Sequence, residues 1–254
     1  MHEVKLQFTK AMMTVIIIVA ALSFYFGYSA ANLYPLAKLQ QANGQQGTSI
    51  GNQAAAAATA TTSPQPSTIA QFALPSYETP EGSSSGKINM IEFGDYQCPY
   101  CGDFFKNTEP QVQQNYVSNG KVKFYFLDFA FLGPDSTTLA EGAWCANDQG
   151  LFWQYHDYIY SHQQQENSGW ATADKLKAMV GNITGLDVQK FSSCLGSNTY
   201  ASRVQQNTAL GQQDGIQGTP GFLIGNDNIG YTLLGGDYPY ASFQQALDAA
   251  LQKA

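Results

Sequence analysis

The stretch EFGDYQCPYCGDFF, residues 92–105, contains two cysteines separated by two residues, directly after an apolar run. That run, KINMIEF at 87–93, is short and contains β-forming residues, which predicts a buried strand. Pro99 suits the first turn of a helix, so a helix is predicted from Pro99 to about Ser118. Cysteines at this spacing can bind a metal, form a structural disulfide or carry out reversible redox chemistry.

The positions of Cys98 and Cys101 favour the redox role. A helix N-terminus stabilises the thiolate form of Cys98 through its unpaired N–H groups and its dipole. The spacing allows the Cys101 thiol to reach a mixed disulfide formed at Cys98 and to resolve it. A purely structural disulfide would close a very small loop and would add little stability.

Glu92 lies in the apolar strand six residues before Cys98. An acid is unfavourable to bury unless it has a role or a partner. Beneath the cysteine pair and with a raised pKa, Glu92 could accept a proton from Cys101. The alternative is a position at the edge of the sheet, where Glu92 would face solvent.

The remaining pattern is that of an α/β domain spanning 87–254. A long region at 134–218 has apolar spacing and glycine punctuation that predict short helices. The domain is therefore predicted to be a four-stranded α/β core interrupted by a helical insert. The other predicted elements are strands at 121–132, 221–225 and 229–236 and a closing helix at 240–254.

The N-terminal region predicts export. Residues 11–34 contain no charged residue and are long enough to cross a bilayer as a helix. Lys5 and Lys10 precede this run, which favours an N-terminus inside the cell and the rest of the chain outside. Residues 1–34 are therefore interpreted as a cytoplasmic start and a transmembrane anchor. The alternative is secretion after cleavage, since Ser29-Ala30-Ala31 resembles a signal-peptide cleavage site.

Residues 35–86 consist mainly of Gln, Ala, Gly, Ser, Thr and Pro. With few large apolar side chains, burial cannot offset the entropy of ordering this segment, so a flexible linker is predicted. The stretch FALPSY at 72–77 could already pack on the edge of the domain.

Charge and histidine content exclude two classes of function. The formal net charge of −7, without a Lys/Arg cluster in the C-terminal two-thirds, argues against a nucleic-acid-binding surface. The histidines at 2, 156 and 162 do not complete a recognisable ligand pattern with the cysteines. We therefore predict no metal site and no cofactor other than a redox-active disulfide.

Late in the chain, QGTPGFLIG at 217–225 puts a Thr-Pro pair just before a predicted strand. With Glu92, CPYC at 98–101 and the helical insert, this stretch resembles the DsbA-type thiol–disulfide oxidoreductases of the thioredoxin superfamily, and especially their membrane-tethered, BdbD-like branch. The resemblance covers about residues 87–254. It implies a thioredoxin-like fold with a redox-active disulfide.

The resemblance also implies roles for individual residues. Cys98 is implied to be the exposed nucleophile and Cys101 the resolving thiol, with Glu92 in the position of the buried acid. Thr219 and a cis Pro220 are implied to face the disulfide and to hold the substrate backbone.

The dipeptide between the cysteines, Pro99-Tyr100, departs from the best-known oxidases of the group, which have His in place of Tyr100. A cationic His can stabilise the thiolate and so make a stronger oxidant, whereas Tyr cannot. Redox activity is therefore a firmer prediction than strong oxidising power.

Cys145 and Cys194 both fall inside the helical insert, and related sequences resemble this arrangement. They are predicted to form a structural disulfide that ties the first and last parts of the insert together. Closing a long loop in this way could contribute up to roughly 4 kcal/mol. The alternative is a redox relay in which Cys145 passes electrons to the active pair.

The combined prediction is a monomeric, membrane-tethered, extracytoplasmic thiol–disulfide oxidoreductase. It would transfer its Cys98–Cys101 disulfide to unfolded exported proteins, through a mixed disulfide at Cys98, and a membrane electron-transfer partner would reoxidise it. The alternatives are a reductase or isomerase with the same site, or a non-catalytic peptide-binding chaperone module.

Overall fold

The computed structural model describes residues 67–83 and 85–254. The predicted anchor at 11–34, and the predicted linker up to residue 66, lie outside these ranges. Within the described ranges, no helix combines the length and the apolar character that spanning a bilayer requires.

A mixed five-stranded sheet forms the centre of the domain. Its strands are β1 Ser67–Ile69, β2 Ile88–Gly94, β3 Val122–Asp128, β4 Gly221–Asn226 and β5 Gly230–Gly235. They lie in the order β1-β5-β4-β2-β3, with β2 parallel to β3 and the other neighbouring pairs antiparallel. The apolar runs of β2 and β3 are buried nearly throughout, which is why these strands do not alternate with polar residues.

Helices connect and cover the strands. Two of them, followed by a π-helical turn at Gln113–Val117, join β2 to β3, five occupy the predicted insert, and one closes the chain. Their bounds are α1 Pro99–Asn107, α2 Glu109–Val112, α3 Pro134–Asn147, α4 Phe152–Ser161, α5 Ala173–Val180, α6 Val188–Gly196, α7 Ala201–Gln213 and α8 Tyr240–Leu251.

The prediction of one continuous helix from Pro99 to about Ser118 is wrong. The first helix ends at Asn107, and a second one begins at Glu109 with proline as its next residue. Pro110 has no N–H to donate to the carbonyl four residues earlier, so the first helix cannot continue through it.

The predicted linker at 35–86 extends too far toward the domain. The short strand β1 pairs with β5, so the core has five strands rather than the predicted four. Phe72 is buried and packs edge-on against Phe93 and Tyr231. The scarcity of apolar residues predicted a flexible linker, but pairing of β1 with β5 and burial of Phe72 dock the end of this segment on the core.

The insert and the sheet share a core at the end of β2. Tyr96, Cys98 and Cys101 belong to the same buried cluster as Trp144 and Tyr155 of the insert. The start of α1 is therefore packed on the insert side as well as on the sheet.

Candidate active site

Cys98 is the N-cap residue of α1, immediately after the turn that follows β2. Its backbone N–H donates to the carbonyl of Asp95 at 2.9 Å, and its own carbonyl accepts from Gly102 at 3.1 Å. The thiol donates to the carbonyl oxygen of Thr219 at 3.3 Å. The residue is only 4% exposed, so the expected exposed nucleophile is instead largely covered.

The surroundings of Cys98 favour its thiolate. A hydrogen bond from the Cys101 thiol is the main cause that lowers the pKa of Cys98 to about 6, and the Thr219 side chain and the N–H groups of Cys101 and Tyr100 add to it. Burial acts in the opposite direction. At neutral pH, Cys98 is therefore mostly ionised when it is reduced.

Cys101 has the opposite character. It lies one turn into α1 and is fully buried, and both active-site cysteines are free thiols in the structure. Burial raises the pKa of Cys101 well above the usual thiol value, and its hydrogen bond to Cys98 and the charge of Glu92 raise it further. Cys101 therefore keeps its proton under conditions in which Cys98 has lost it.

Glu92 is in the middle of the sheet rather than at its edge. It lies between Phe126 of β3 and Phe222 of β4 in the strand register and is 1% exposed. Neither carboxylate oxygen has a hydrogen-bond partner. Burial raises the pKa of Glu92 well above its usual value, with further contributions from Cys98 and Asp237, while the nearby Cys101 thiol offsets part of the rise.

Gly94 keeps the space above Glu92 open. A Cβ atom at this position would lie 2.2 Å from the Phe126 ring and 3.1 Å from a carboxylate oxygen of Glu92. Any larger residue would therefore push the ring or the acid out of place.

The Thr219–Pro220 peptide bond is cis, and the loop that carries it faces Cys98 through the Thr219 carbonyl. The Thr219 hydroxyl is buried and has no hydrogen-bond partner, so it is free to donate to a thiolate. Thr219 and Pro220 also line a groove of about 960 Å³, which continues along residues 213–218 and 233–236.

Two large apolar side chains are exposed in the described part of the chain, one between the two active-site cysteines and the other in the segment after β3 that contacts the active-site turn. Tyr100 is 63% exposed and Phe131 is 48% exposed. The N–H of Phe131 donates to a carboxylate oxygen of Asp95, in the turn that leads to Cys98. The active-site turn and the segment bonded to it therefore expose two apolar side chains, Tyr100 and Phe131, which are called the apolar rim here.

Side chains of the insert form hydrogen bonds with the active-site turn. No pattern in the sequence predicts these contacts. Gln163 donates through its side-chain amide to the carbonyls of Tyr96, at 3.0 Å, and Cys98, at 2.8 Å. Gln97 donates to Ser136 at 2.8 Å. Because Gln163 is 65 residues away from Cys98, only the folded chain brings them together.

Cys145 and Cys194 are joined by a disulfide with a Cα–Cα distance of 5.8 Å. It links α3 to α6, and Cys145 is buried. The pair therefore ties together two helices of the insert, separate from the pair at the start of α1.

The arrangement at α1 meets the chemical requirements of thiol–disulfide exchange. One sulfur must attack or leave as a thiolate, while its partner holds a proton until the mixed disulfide is resolved. Cys98 and Cys101 divide these roles between them, and the cis-proline loop that contacts the reacting sulfur also lines a groove. On a sheet of this topology, such a site defines a thiol–disulfide oxidoreductase with a thioredoxin-like fold.

Comparison with known proteins agrees with this class. A family model described as thioredoxin matches residues 77–249, and the chain belongs to that family. A probable disulfide bond formation protein D of Bacillus cereus is 29% identical over 175 residues, covering 68% of this chain and 78% of the relative. Disulfide bond formation protein D of Bacillus subtilis is 30% identical over 151 residues, covering 58% and 67%.

Solved structures support the fold. The crystal structure of oxidised BdbD from Bacillus subtilis has a TM-score of 0.66 at 24% identity, covering 73% of this chain and 98% of that one. The family model and the Bacillus relatives, together with this shared fold, confirm the resemblance to DsbA-like oxidoreductases that the sequence predicted.

Proposed function

We propose that this protein oxidises the cysteines of unfolded exported proteins by donating its Cys98–Cys101 disulfide. The observation that carries the proposal is the contrast between a Cys98 pKa lowered to about 6 and a Cys101 pKa raised well above the usual value. A stabilised Cys98 thiolate favours the reduced enzyme, so the oxidised enzyme tends to pass its disulfide on. The names of the two Bacillus relatives, which refer to disulfide bond formation, support the same direction.

The reaction proceeds by two displacements. A substrate thiolate attacks the sulfur of Cys98, the Cys98–Cys101 bond breaks, and Cys101 leaves with the electron pair and takes up a proton. A second substrate thiolate then attacks the substrate sulfur of the mixed disulfide, and Cys98 leaves as a thiolate. Two electrons pass from the substrate to the enzyme, and the substrate gains one disulfide.

Glu92 is suited to supply the proton that Cys101 takes up. Its carboxyl group is buried beside Cys101, and its raised pKa keeps it protonated where an exposed acid would be ionised. In the reverse step the same carboxylate accepts the proton when Cys101 attacks. A proton donor at this position avoids leaving a bare thiolate in an apolar core.

Substrate binding is assigned to the surfaces around Cys98. The groove beside Thr219 and Pro220 can accept an extended chain, and the apolar rim of Tyr100 and Phe131 suits the exposed apolar segments of an unfolded protein. Contacts with the backbone of an extended chain in the groove do not depend on the substrate's sequence. An oxidase that acts on many different exported proteins requires such sequence-independent binding.

Turnover requires an electron acceptor that regenerates the disulfide. We assign this role to a membrane protein, because the segment at 11–34 is interpreted as an anchor with the N-terminus inside and the domain outside the cell. The domain itself is taken to act as a monomer.

The first experiment compares the full-length chain with Cys98→Ala in the reduction of insulin by dithiothreitol. We expect Cys98→Ala to reduce the rate to that of dithiothreitol alone, because the mixed disulfide can no longer form. The matched control is the double variant Cys145→Ala/Cys194→Ala, which should retain the activity. Equal rates for the full-length chain and Cys98→Ala would show a non-catalytic peptide-binding module instead.

The redox potential of the active pair decides the direction. A redox potential of about −120 mV, as in DsbA, is expected for an oxidase. A value near about −270 mV, as in thioredoxin, would identify a reductase with the same cysteines.

A further inference from the structure

Glu109, His156 and Asp157 form a cluster that the redox chemistry does not use. Glu109 is the first residue of α2, whereas His156 and Asp157 are neighbours in the middle of α4. Each residue offers one possible ligand atom, and these three atoms all lie within 4.8 Å of one another. Within the described ranges of the chain, these three residues form the one group of His, Cys, Asp or Glu side chains whose ligand atoms lie this close together.

Two of the three side chains are buried without a complete set of partners. Glu109 is 5% exposed, and its Oε2 has no hydrogen bond. His156 is 0% exposed, and its Nε2 has no hydrogen bond, while its Nδ1 lies 3.1 Å from Oδ1 of Asp157. Buried polar atoms are normally paired, so unpaired ones in a single cluster indicate a missing partner.

The cluster also lacks positive charge. The ion pair found among the described residues is His156–Asp157, so no Lys or Arg neutralises the acids here. A further acid, Glu81, adjoins the cluster and accepts a hydrogen bond from Gln113. Several carboxyl groups held together without a basic side chain are unfavourable unless they are protonated or bind a cation.

We propose that Glu109, His156 and Asp157 bind one divalent transition-metal ion of the zinc type. A histidine nitrogen among carboxylate oxygens suits Zn²⁺ better than Ca²⁺ or Mg²⁺, which prefer oxygen ligands alone. Two ligand atoms that each lie roughly 2.1 Å from one zinc ion are about 3–3.5 Å apart, so small rotamer changes close the cluster around it. Asp157, with a side chain 56% exposed, gives the ion a route from solvent.

This proposal departs from the prediction of no metal site, which was made from the spacing of cysteines and histidines in the sequence. The proposed ligands come from two helices that are separated in the chain by β3 and α3, so the ligand residues form no sequence motif with a characteristic spacing. The competing explanation is a purely structural one, in which Glu109 and His156 rotate to hydrogen-bond to each other. That arrangement requires no metal, and binding measurements separate the two.

The experiment is a titration of the full-length chain in detergent with Zn²⁺ alone, by isothermal calorimetry. Both cysteine pairs are oxidised beforehand, so that no free thiol can bind zinc. We expect one Zn²⁺ per chain and weaker binding of Ca²⁺ and Mg²⁺. His156→Gln and Glu109→Gln should each weaken zinc binding by at least about 100-fold, because losing even an outer-shell partner of a metal typically weakens binding by 10–100-fold.

The matched controls are His162→Gln and Glu166→Gln, which remove an exposed histidine and an exposed acid nearby in the chain. Both should bind zinc like the unmodified chain. The variant Asp157→Asn changes the exposed residue of the cluster, where a substitution does not disturb the core. This variant should also bind zinc more weakly. Absence of zinc binding, or binding that the three cluster variants leave unchanged, would overturn the proposal in favour of the hydrogen-bonded arrangement. Neither result depends on redox activity.

Discussion

The two cysteine pairs of this chain have opposite surroundings. Cys98 and Cys101 lie at the start of a helix, next to a buried acid and a cis-proline loop, and are free thiols. Cys145 and Cys194 lie within two helices of the insert and are bonded to each other. The residue type is the same, so the difference between reactive and structural sulfur comes from the surroundings.

The helix position contributes to this difference, in addition to the hydrogen bond from the Cys101 thiol. At an N-cap, free backbone N–H groups point at the sulfur and stabilise a thiolate. Inside a helix the N–H groups are used by the helix itself, and a thiol there behaves as a small apolar side chain. A pair of the first kind exchanges disulfides, whereas a pair of the second kind holds helices together.

Removing each pair gives the largest contrast. Cys98→Ala/Cys101→Ala should abolish disulfide exchange, because no sulfur remains at the helix start, and should leave the free energy of unfolding nearly unchanged. Cys145→Ala/Cys194→Ala should keep the exchange activity while the free energy of unfolding falls by about 2–4 kcal/mol. Urea unfolding and the insulin assay on the same samples measure both quantities.

A different pattern would break the comparison. If the folded Cys145→Ala/Cys194→Ala variant lost its exchange activity, the second pair would be a redox relay rather than a structural disulfide. Non-reducing mass spectrometry of the unmodified chain should show the Cys145–Cys194 linkage, and a Cys145–Cys98 linkage would point to the same relay.

Glu92→Gln should have the second-largest effect, on the active pair alone. Glutamine cannot donate the proton that Cys101 takes up, so the exchange rate should fall by about 10²-fold, at the low end for general acid–base catalysis. Stopped-flow reaction of the oxidised chain with a cysteine-containing peptide measures it. The exposed acid variant Glu166→Gln is the control and should react at the unmodified rate.

The same variant should change how stability depends on pH. The pKa of Glu92 is raised in the folded chain, so above the usual value of 4.5 the folded chain keeps a proton that the unfolded chain has released. This residue therefore makes the free energy of unfolding fall as the pH rises from about 4.5 toward the folded pKa. Glu92→Gln removes that contribution, so it should be more stable than the unmodified chain at pH 8 and similar to it at low pH. Equal urea midpoints at pH 8 would place Glu92 in a less buried setting than the structure shows.

Local features of the site could be predicted from the sequence, and long-range ones could not. The Cys-Pro-Tyr-Cys stretch indicated a helix start because caps and proline at the first turn are local signals, and the structure has α1 begin at Pro99. Glu92 stood out because an acid interrupts an apolar run, and it is buried in the sheet.

The amide contacts of Gln163 and the docking of β1 depend on chain segments far apart in sequence. Neither segment carries a local pattern that would announce its contact. The covered position of Cys98 had no local signal for the same reason, because the Thr219 loop that lies over it comes 121 residues later.

Tyr100→His gives the smallest and most selective test, because it changes the charge beside Cys98 without touching the core. Tyr100 is largely exposed, and a protonated imidazole in its place adds a positive charge about one side chain away from the thiolate. In a solvent-exposed setting two charges about 4 Å apart interact by about 1 kcal/mol, so the pKa of Cys98 should fall by about 0.7 from its value of about 6. The pH dependence of iodoacetamide alkylation measures this pKa.

Tyr100→Phe is the matched control and should leave the pKa of Cys98 unchanged. A lower Cys98 pKa in Tyr100→His, but not in Tyr100→Phe, would show that a positive charge next to Cys98 stabilises the thiolate. Such a charge would then adjust how strongly this pair oxidises, in addition to the position of the helix. An equal change in Tyr100→Phe would instead assign the effect to loss of the tyrosine hydroxyl.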